Sequence, residues 1–121
     1  MAAKLSGSAA RKAETLEEAR RKWDRVRALV ERVASGGAGE SIVTLMKQIG
    51  RAATDVGRVL ENNGYGALSQ SAAELGLIAQ RAKLSQGKVR TMREQVAGVR
   101  NAIDNAERLL HKEVTDDGEG T

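Results

Sequence analysis

The 121-residue chain has no cysteine, no proline and no phenylalanine, and it carries a single tryptophan and a single tyrosine. The absence of cysteine excludes disulfide bonds and thiolate metal sites. Scarce aromatic residues argue against β-sheets, whose strands are enriched in aromatic and β-branched side chains. No apolar run approaches the roughly 20 residues of a membrane-spanning helix, and no secretory signal pattern opens the chain. These absences favour an intracellular, cytoplasmic protein that does not bind membranes.

The abundant residues are alanine, leucine, valine and charged side chains, a composition typical of α-helices. The 20 basic and 16 acidic residues give a net charge of +4. Four acidic residues and no basic one follow Lys112: Glu113, Asp116, Asp117 and Glu119. We therefore predict one helical domain over residues 15–112, a flexible N-terminus over 1–14 and an acidic disordered tail over 113–121.

Apolar residues recur at alternating spacings of three and four along the chain, which is the pattern of helices that pack through one side. The first such stretch follows a capping box formed by Thr15 and Glu18 and stops at Ser35-Gly36-Gly37. The second follows the segment GAGES and stops at Asn62-Asn63-Gly64. The pattern predicts helices over residues 15–35 and 41–62.

The third stretch keeps the same spacing from Leu75 to Leu110 and passes Gly87 without a change of phase. We therefore predict an all-α fold in which a helix hairpin packs on one long C-terminal helix over residues 67–112. The alternative is a turn at Gln86-Gly87, which would give a monomeric four-helix bundle.

A continuous third helix would be about 65 Å long, roughly twice the length of the hairpin beside it. Its uncovered half would expose an apolar seam, and such a seam is normally buried against another surface. The sequence therefore predicts a homodimer, joined as a helical bundle or coiled coil. The predicted interface residues are Val96, Val99, Ile103, Leu110 and the loop residue Tyr65. For Tyr65 the alternative is an anchor that folds its loop back onto the bundle.

Basic residues also line up along one side of the third helix, namely Lys83, Arg90, Arg93 and Arg100. A stripe of this length suits the phosphates of double-stranded RNA or DNA. The favoured interpretation is solvated charge, or charge that sets the register between helices. Glu17, Asp24 and Glu31 form an acidic line on the first helix that could serve as the counterpart.

Catalytic signals are weak. The single histidine, His111, shares a helix side with Asp104 and Glu107, but these positions lie outside the apolar seam and favour a solvated polar face. No phosphate-binding loop or nucleotide-binding glycine motif is present. We predict a non-enzymatic interaction or assembly module without metal or cofactor, acting through self-association and binding of a partner helix. The alternative function is binding of duplex nucleic acid.

Overall fold

The computed structural model describes residues 7–37, 39, 41–80 and 85–119, of which 113–119 are described through their backbone. Four helices follow one another in the chain: α1 (Gly7–Ala34), α2 (Ile42–Glu61), α3 (Gly66–Gln80) and α4 (Gln86–Glu119). No strand occurs in these ranges. The prediction of an all-α fold is confirmed.

Each helix packs against the next one, and α4 returns to pack against α1, so the four helices form a closed ring. Arg93 pairs with Glu31, whereas Arg100, seven residues later, pairs with Asp24, seven residues earlier. The helices α1 and α4 are therefore antiparallel. The other neighbours reverse direction in the same way, which gives an up-down-up-down four-helix bundle.

The core is built from the apolar seams of the helices. Its largest member is Trp23, which is 1 % exposed and donates its indole N–H to the carbonyl oxygen of Val96 at 3.0 Å. The other large, fully buried side chains are Leu16, Val26, Val30, Leu45, Ile49, Val56, Leu60, Leu75, Met92, Val99 and Ile103. The three-and-four spacing thus marks the buried side of every helix.

Two glycines end α1 and α2 where the sequence predicts. Gly36 and Gly64 both have a φ of +89°, a left-handed conformation that other residues adopt at a cost. After Gly36, the N–H of Gly37 donates to the carbonyl of Arg32 at 2.8 Å, as in a Schellman motif. Ser41 caps the start of α2 by accepting the N–H of Thr44. The helix α2 runs from Ile42 to Glu61, one residue inside the predicted range of 41–62 at each end.

The first helix begins earlier than its capping box predicts. It starts at Gly7, so Thr15 lies inside the helix and donates its hydroxyl to the carbonyl of Arg11 at 2.9 Å. Ala9 and Ala13 are half-buried against the core. Tertiary packing and helix-favouring alanines therefore extend the helix into the segment expected to be flexible. Residues 1–6 lie outside the described ranges.

The prediction of one continuous helix over residues 67–112 is wrong, because α3 ends at Gln80 and α4 begins at Gln86. Of the alternative, the four packed helices are confirmed, and the turn at Gln86-Gly87 is not. The nitrogen Nζ of Lys88 donates to the carbonyl of Ala79 at 3.1 Å, and Nε2 of Gln95 donates to the carbonyl of Ser71 at 2.7 Å. Residues early in α4 thus contact residues late in α3, which requires the chain to reverse between them. Gly87 itself is not the turn, because it is the second residue of α4.

The helix α4 begins with a hydroxyl cap at Ser85, a position that the apolar spacing includes within a continuous helix. Ser85 accepts the N–H of Lys88 on its side-chain oxygen at 3.1 Å and the N–H of Val89 on its carbonyl at 3.0 Å. Serine is a favoured residue at this position. At its other end α4 continues to Glu119, where a disordered tail was expected. Residues 120–121 lie outside the described ranges.

Candidate interaction surface

The apolar residues predicted to join two copies are core residues of the single chain. Val96, Val99, Ile103 and Leu110 are between 0 and 7 % exposed. They are covered because α4 folds back beside α3 and lies against α1. The uncovered seam from which the homodimer was inferred is therefore absent, and these four side chains offer no free surface to a partner.

Tyr65 lies between α2 and α3 and is half-buried against the core. Its N–H donates to the carbonyl of Leu60 at 2.9 Å, and its carbonyl accepts the N–H of Ser69 at 2.8 Å. Both bonds hold the loop against the two helices that it joins. This placement favours the anchor interpretation of Tyr65.

Half of the basic stripe predicted on the third helix is paired within the chain. Arg93 binds Glu31 of α1 through two hydrogen bonds, from Nε to Oε2 at 2.8 Å and from Nη2 to Oε1 at 3.0 Å. Arg100 pairs with Asp24 of α1 and approaches Asp104 on its own helix at 3.4 Å. Arg90 is exposed, and Lys83 lies outside the described ranges. Two of the four stripe residues therefore already hold carboxylates.

The pair of Glu31 and Arg93 shifts the pKa of both groups. The hydrogen bonds from Arg93 lower the pKa of Glu31 below its ordinary value, since they stabilise the ionised carboxylate. The same bonds raise the pKa of Arg93. Both groups are charged at neutral pH, which keeps the contact an ion pair.

Further along the same two helices, Arg20 of α1 binds two carboxylates of α4. Its Nη2 lies 2.7 Å from Oδ1 of Asp104 and 2.8 Å from Oε2 of Glu107. Four cations and four carboxylates lie together where α1 packs against α4: Arg20, Arg27, Arg93 and Arg100 with Asp24, Glu31, Asp104 and Glu107. These eight residues together have no net charge at neutral pH.

The α1–α2 side of the bundle is different. We call it the cationic face and define it by six residues: Arg21, Lys22, Arg25, Lys47, Arg51 and Arg58. Two carboxylates form ion pairs with this face, those of Glu18 and Asp55, and with the six cations they give a net charge of +4 at neutral pH. The exposed carboxylates of Glu17 and Glu61 lie one helical turn from Arg21 and Arg58 and form no ion pair in the described part of the chain.

Both carboxylates of the cationic face are bound to the same lysine. Nζ of Lys22 lies 3.0 Å from Oδ2 of Asp55 and 3.4 Å from Oε1 of Glu18. The hydrogen bond to Asp55 is the main cause that raises the pKa of Lys22. Neither of these two acids forms an ion pair with an arginine of the face.

The other five cations of the face are exposed: Arg21, Arg25, Lys47, Arg51 and Arg58. None of these five has an ion-pair partner among the described residues. Arg25, Arg51 and Arg58 line an open groove of about 620 Å³. Polar side chains complete its walls, including Gln48 of α2 and Gln80 of α3. The groove is a concave, water-exposed surface with excess positive charge.

Helical spacing explains why these cations share a side. Lys47, Arg51 and Arg58 are four and seven residues apart on α2, and Arg21 and Arg25 are four apart on α1. The sequence alone therefore predicts that the three cations of α2 share one side of that helix. The contribution of α1 was missed, because only tertiary structure shows that Arg20 binds α4, that Lys22 binds Asp55 of α2 and that Arg25 lines the groove beside α2.

The possible metal-binding group has other partners. Asp104 and Glu107 both bind Arg20, and His111 is exposed on α4. Within the described ranges, no group of three or more potential ligands is placed to hold a metal ion. In the same part of the chain, no helix combines the length and the apolar character that crossing a membrane requires.

Comparison with known proteins adds no assignment to this geometry. No family model matches the chain, and no curated protein or solved structure is significantly similar to it.

Proposed function

We propose that this protein is a non-enzymatic helical interaction module that binds an anionic partner through the cationic face. The observation that carries the proposal is the contrast between two sides of one bundle. On the α1–α4 side Arg20, Arg93 and Arg100 form ion pairs, whereas the cationic face carries five exposed cations without ion pairs in the described part of the chain. Unpaired charge of one sign raises the local concentration of ligands of the opposite sign.

The rigidity of the bundle supports the same proposal. The cations project from two helices whose opposite sides are fixed by buried residues, among them Trp23 on α1 and Ile49 on α2. Their spacing is therefore set before a partner arrives, which reduces the entropy lost on binding.

Elution from heparin, a general polyanion, tests the proposal. The variant Arg25→Gln/Arg51→Gln removes two cations from the face, and Arg90→Gln/Arg108→Gln removes two exposed cations from α4. We expect the face variant to elute at clearly lower salt than the wild type, and the α4 variant to elute close to it. Equal shifts for both variants, or no retention of the wild type at low salt, would contradict the proposal.

Self-association is a second proposal and needs a surface other than the buried α4 seam. The helices α1 and α4 have 28 and 34 residues and pass beyond the shorter α2 and α3. On the extended part of α4, Leu109 is 52 % exposed. A second copy that packs against this end would cover that side chain. Sedimentation equilibrium at micromolar concentration is the test, because a monomer has a mass of 12.9 kDa and a dimer twice that.

A further inference from the structure

We infer that the anionic partner is a double-stranded nucleic acid, bound through its phosphates without recognition of base sequence. The inference rests on the proposed function and names its partner. The residues that carry it are those of the cationic face, and not the stripe on α4 that the sequence suggests.

The dimensions of the face fit a duplex. Lys47 and Arg58 are eleven residues apart, or about 16 Å along α2, and the axis of α1 runs beside it at about 8–10 Å. A duplex carries one phosphate per about 1.7 Å of its length, counting both strands. A surface of this size can therefore contact several phosphates at once. In DNA these phosphates lie on both sides of the minor groove, which is about 6 Å wide.

The chemistry of the cations also fits phosphates. Four of the six residues are arginines, whose planar guanidinium groups can donate two parallel hydrogen bonds to one phosphate. They stand on the exposed backs of two helices that lie side by side. Such a surface meets the backbone of a duplex, and no segment of it projects far enough to read base edges. We therefore expect little preference for sequence.

Single-stranded nucleic acid fits the face poorly. Proteins that bind single strands usually stack bases on aromatic side chains. The only tryptophan, Trp23, is buried with its N–H bound to Val96, and Tyr65 is half-buried in the α2–α3 loop. The cationic face thus has no aromatic side chain on which a base could stack.

An acidic protein or an anionic membrane fits less well than a duplex. Protein interfaces are dominated by buried apolar or aromatic anchors, and helices that insert into membranes expose bulky apolar side chains. In the described part of the chain the exposed large apolar residues are Val43, Leu77 and Leu109. Leu77 and Leu109 lie on α3 and α4, and Val43 lies one turn before Lys47 at the edge of the face. The centre of the face therefore carries charge without an apolar anchor.

Fluorescence anisotropy with labelled duplexes of about 20 base pairs tests the inference. Two DNA duplexes of different sequence and one RNA duplex would be titrated between about 50 and 200 mM salt, the range in which phosphate contacts weaken steeply. We expect wild-type affinities for the two DNA sequences to agree within about threefold, and we expect binding to fall steeply with salt.

The same titration of the face variant and of the α4 variant tests which residues contact the duplex. Each lost phosphate contact lowers the slope of log affinity against log salt by about 0.9, so Arg25→Gln/Arg51→Gln should lower it by nearly 2 and reduce affinity at least tenfold. Arg90→Gln/Arg108→Gln should keep the wild-type slope. Circular dichroism of both variants checks that the bundle is intact. Equal effects of the two variants would overturn the inference.

The outcomes separate the inference from the proposed function. Heparin retention that depends on the face, together with no duplex binding at micromolar protein, overturns the inference and leaves the proposed function standing. Tighter binding to single-stranded DNA, to polyglutamate or to phosphatidylserine vesicles than to duplexes does the same. No salt-dependent binding to heparin or to any duplex overturns both.

Discussion

Arg93 of α4 donates two hydrogen bonds to the carboxylate of Glu31 of α1, one of 2.8 Å and one of 3.0 Å. The same guanidinium belongs to the basic stripe that was considered for nucleic-acid binding from the sequence. Because it is engaged by a carboxylate, it acts first as a contact between helices. Together with the pair of Arg100 and Asp24, it fixes the antiparallel register of α1 and α4.

The pair makes stability depend on pH. The pKa of Glu31 is lower in the folded protein than its ordinary value, so its stabilising contribution is complete above the ordinary pKa of a glutamate and is lost as the pH falls through the folded pKa. Glu31→Gln should therefore be less stable than the wild type at pH 7, and the two proteins should converge in acid. Urea unfolding between pH 7 and pH 3 measures this.

High salt supplies the control for the same variant. The partners are about half exposed, so salt screens their attraction and the difference at pH 7 should shrink in 1 M salt. Glu94→Gln removes an exposed carboxylate from α4 and should not reproduce the effect. A difference between Glu31→Gln and the wild type that persists unchanged at pH 3 would contradict the ion-pair explanation.

Substitution of the buried Trp23 should cost clearly more stability than substitution of an exposed apolar residue. Trp23→Phe removes the N–H that binds the carbonyl of Val96 and leaves a cavity, so we expect a loss of about 1–3 kcal/mol in the free energy of unfolding. Leu77→Ala, at a side chain that is 49 % exposed, should change stability by less than about 0.5 kcal/mol. Urea denaturation followed by circular dichroism compares the two. Similar losses would show that Trp23 is not the centre of the core.

Two helical glycines should respond in opposite directions to the same substitution. A Cβ at Gly76 would lie 3.4 Å from the carbonyl oxygen of Gly50 on α2, whereas a Cβ at Gly98 would meet nothing within 4 Å. Gly76→Leu should therefore destabilise the bundle by about 1–3 kcal/mol through overpacking. Gly98→Leu should stabilise it by about 0.5–1 kcal/mol, since leucine favours helix over glycine. Thermal melting measures whether each variant is more or less stable than the wild type. A Gly76→Leu variant that is more stable than the wild type would contradict the close packing of α2 and α3.

The start of α4 depends on one hydroxyl. Ser85→Ala removes the acceptor of the Lys88 N–H and should cost about 1 kcal/mol, whereas Ser85→Asp keeps an acceptor and should cost much less. Chemical denaturation of the two variants measures the difference. Equal stability of Ser85→Ala and the wild type would mean that α4 does not begin with this cap.

Helices α1 and α2 could be predicted from sequence because each combines an apolar seam with a local stop signal. Gly36 and Gly64 adopt the left-handed conformation at those stops, and Ser41 caps α2. The break before α4 could not be predicted from periodicity. The seam keeps its phase from Leu75 to Leu110, and the residues that define the break act through contacts between α3 and α4, such as Lys88 to Ala79.

Only the α2 part of the cationic face could be predicted from the sequence, for a similar reason. Lys47, Arg51 and Arg58 form a visible line on one helix. Whether a charged residue is free depends on which helix lies beside it, and neighbouring residues of α1 differ in this respect. Arg20 binds α4, Lys22 binds α2, and Arg21 is exposed to solvent without an ion pair in the described part of the chain. These ion pairs join residues that are 33 to 84 positions apart in the sequence, so they are set by the fold and leave no local signal.

Amide chemical-shift mapping by NMR tests the central claim most directly, by titrating the protein with a duplex of about 20 base pairs at low salt. The predicted result is a set of shifts concentrated on the exposed residues of α1 between 18 and 25 and of α2 between 47 and 58, reversed by added salt. Shifts centred on α4 between residues 90 and 100, or no shifts at all, would contradict it.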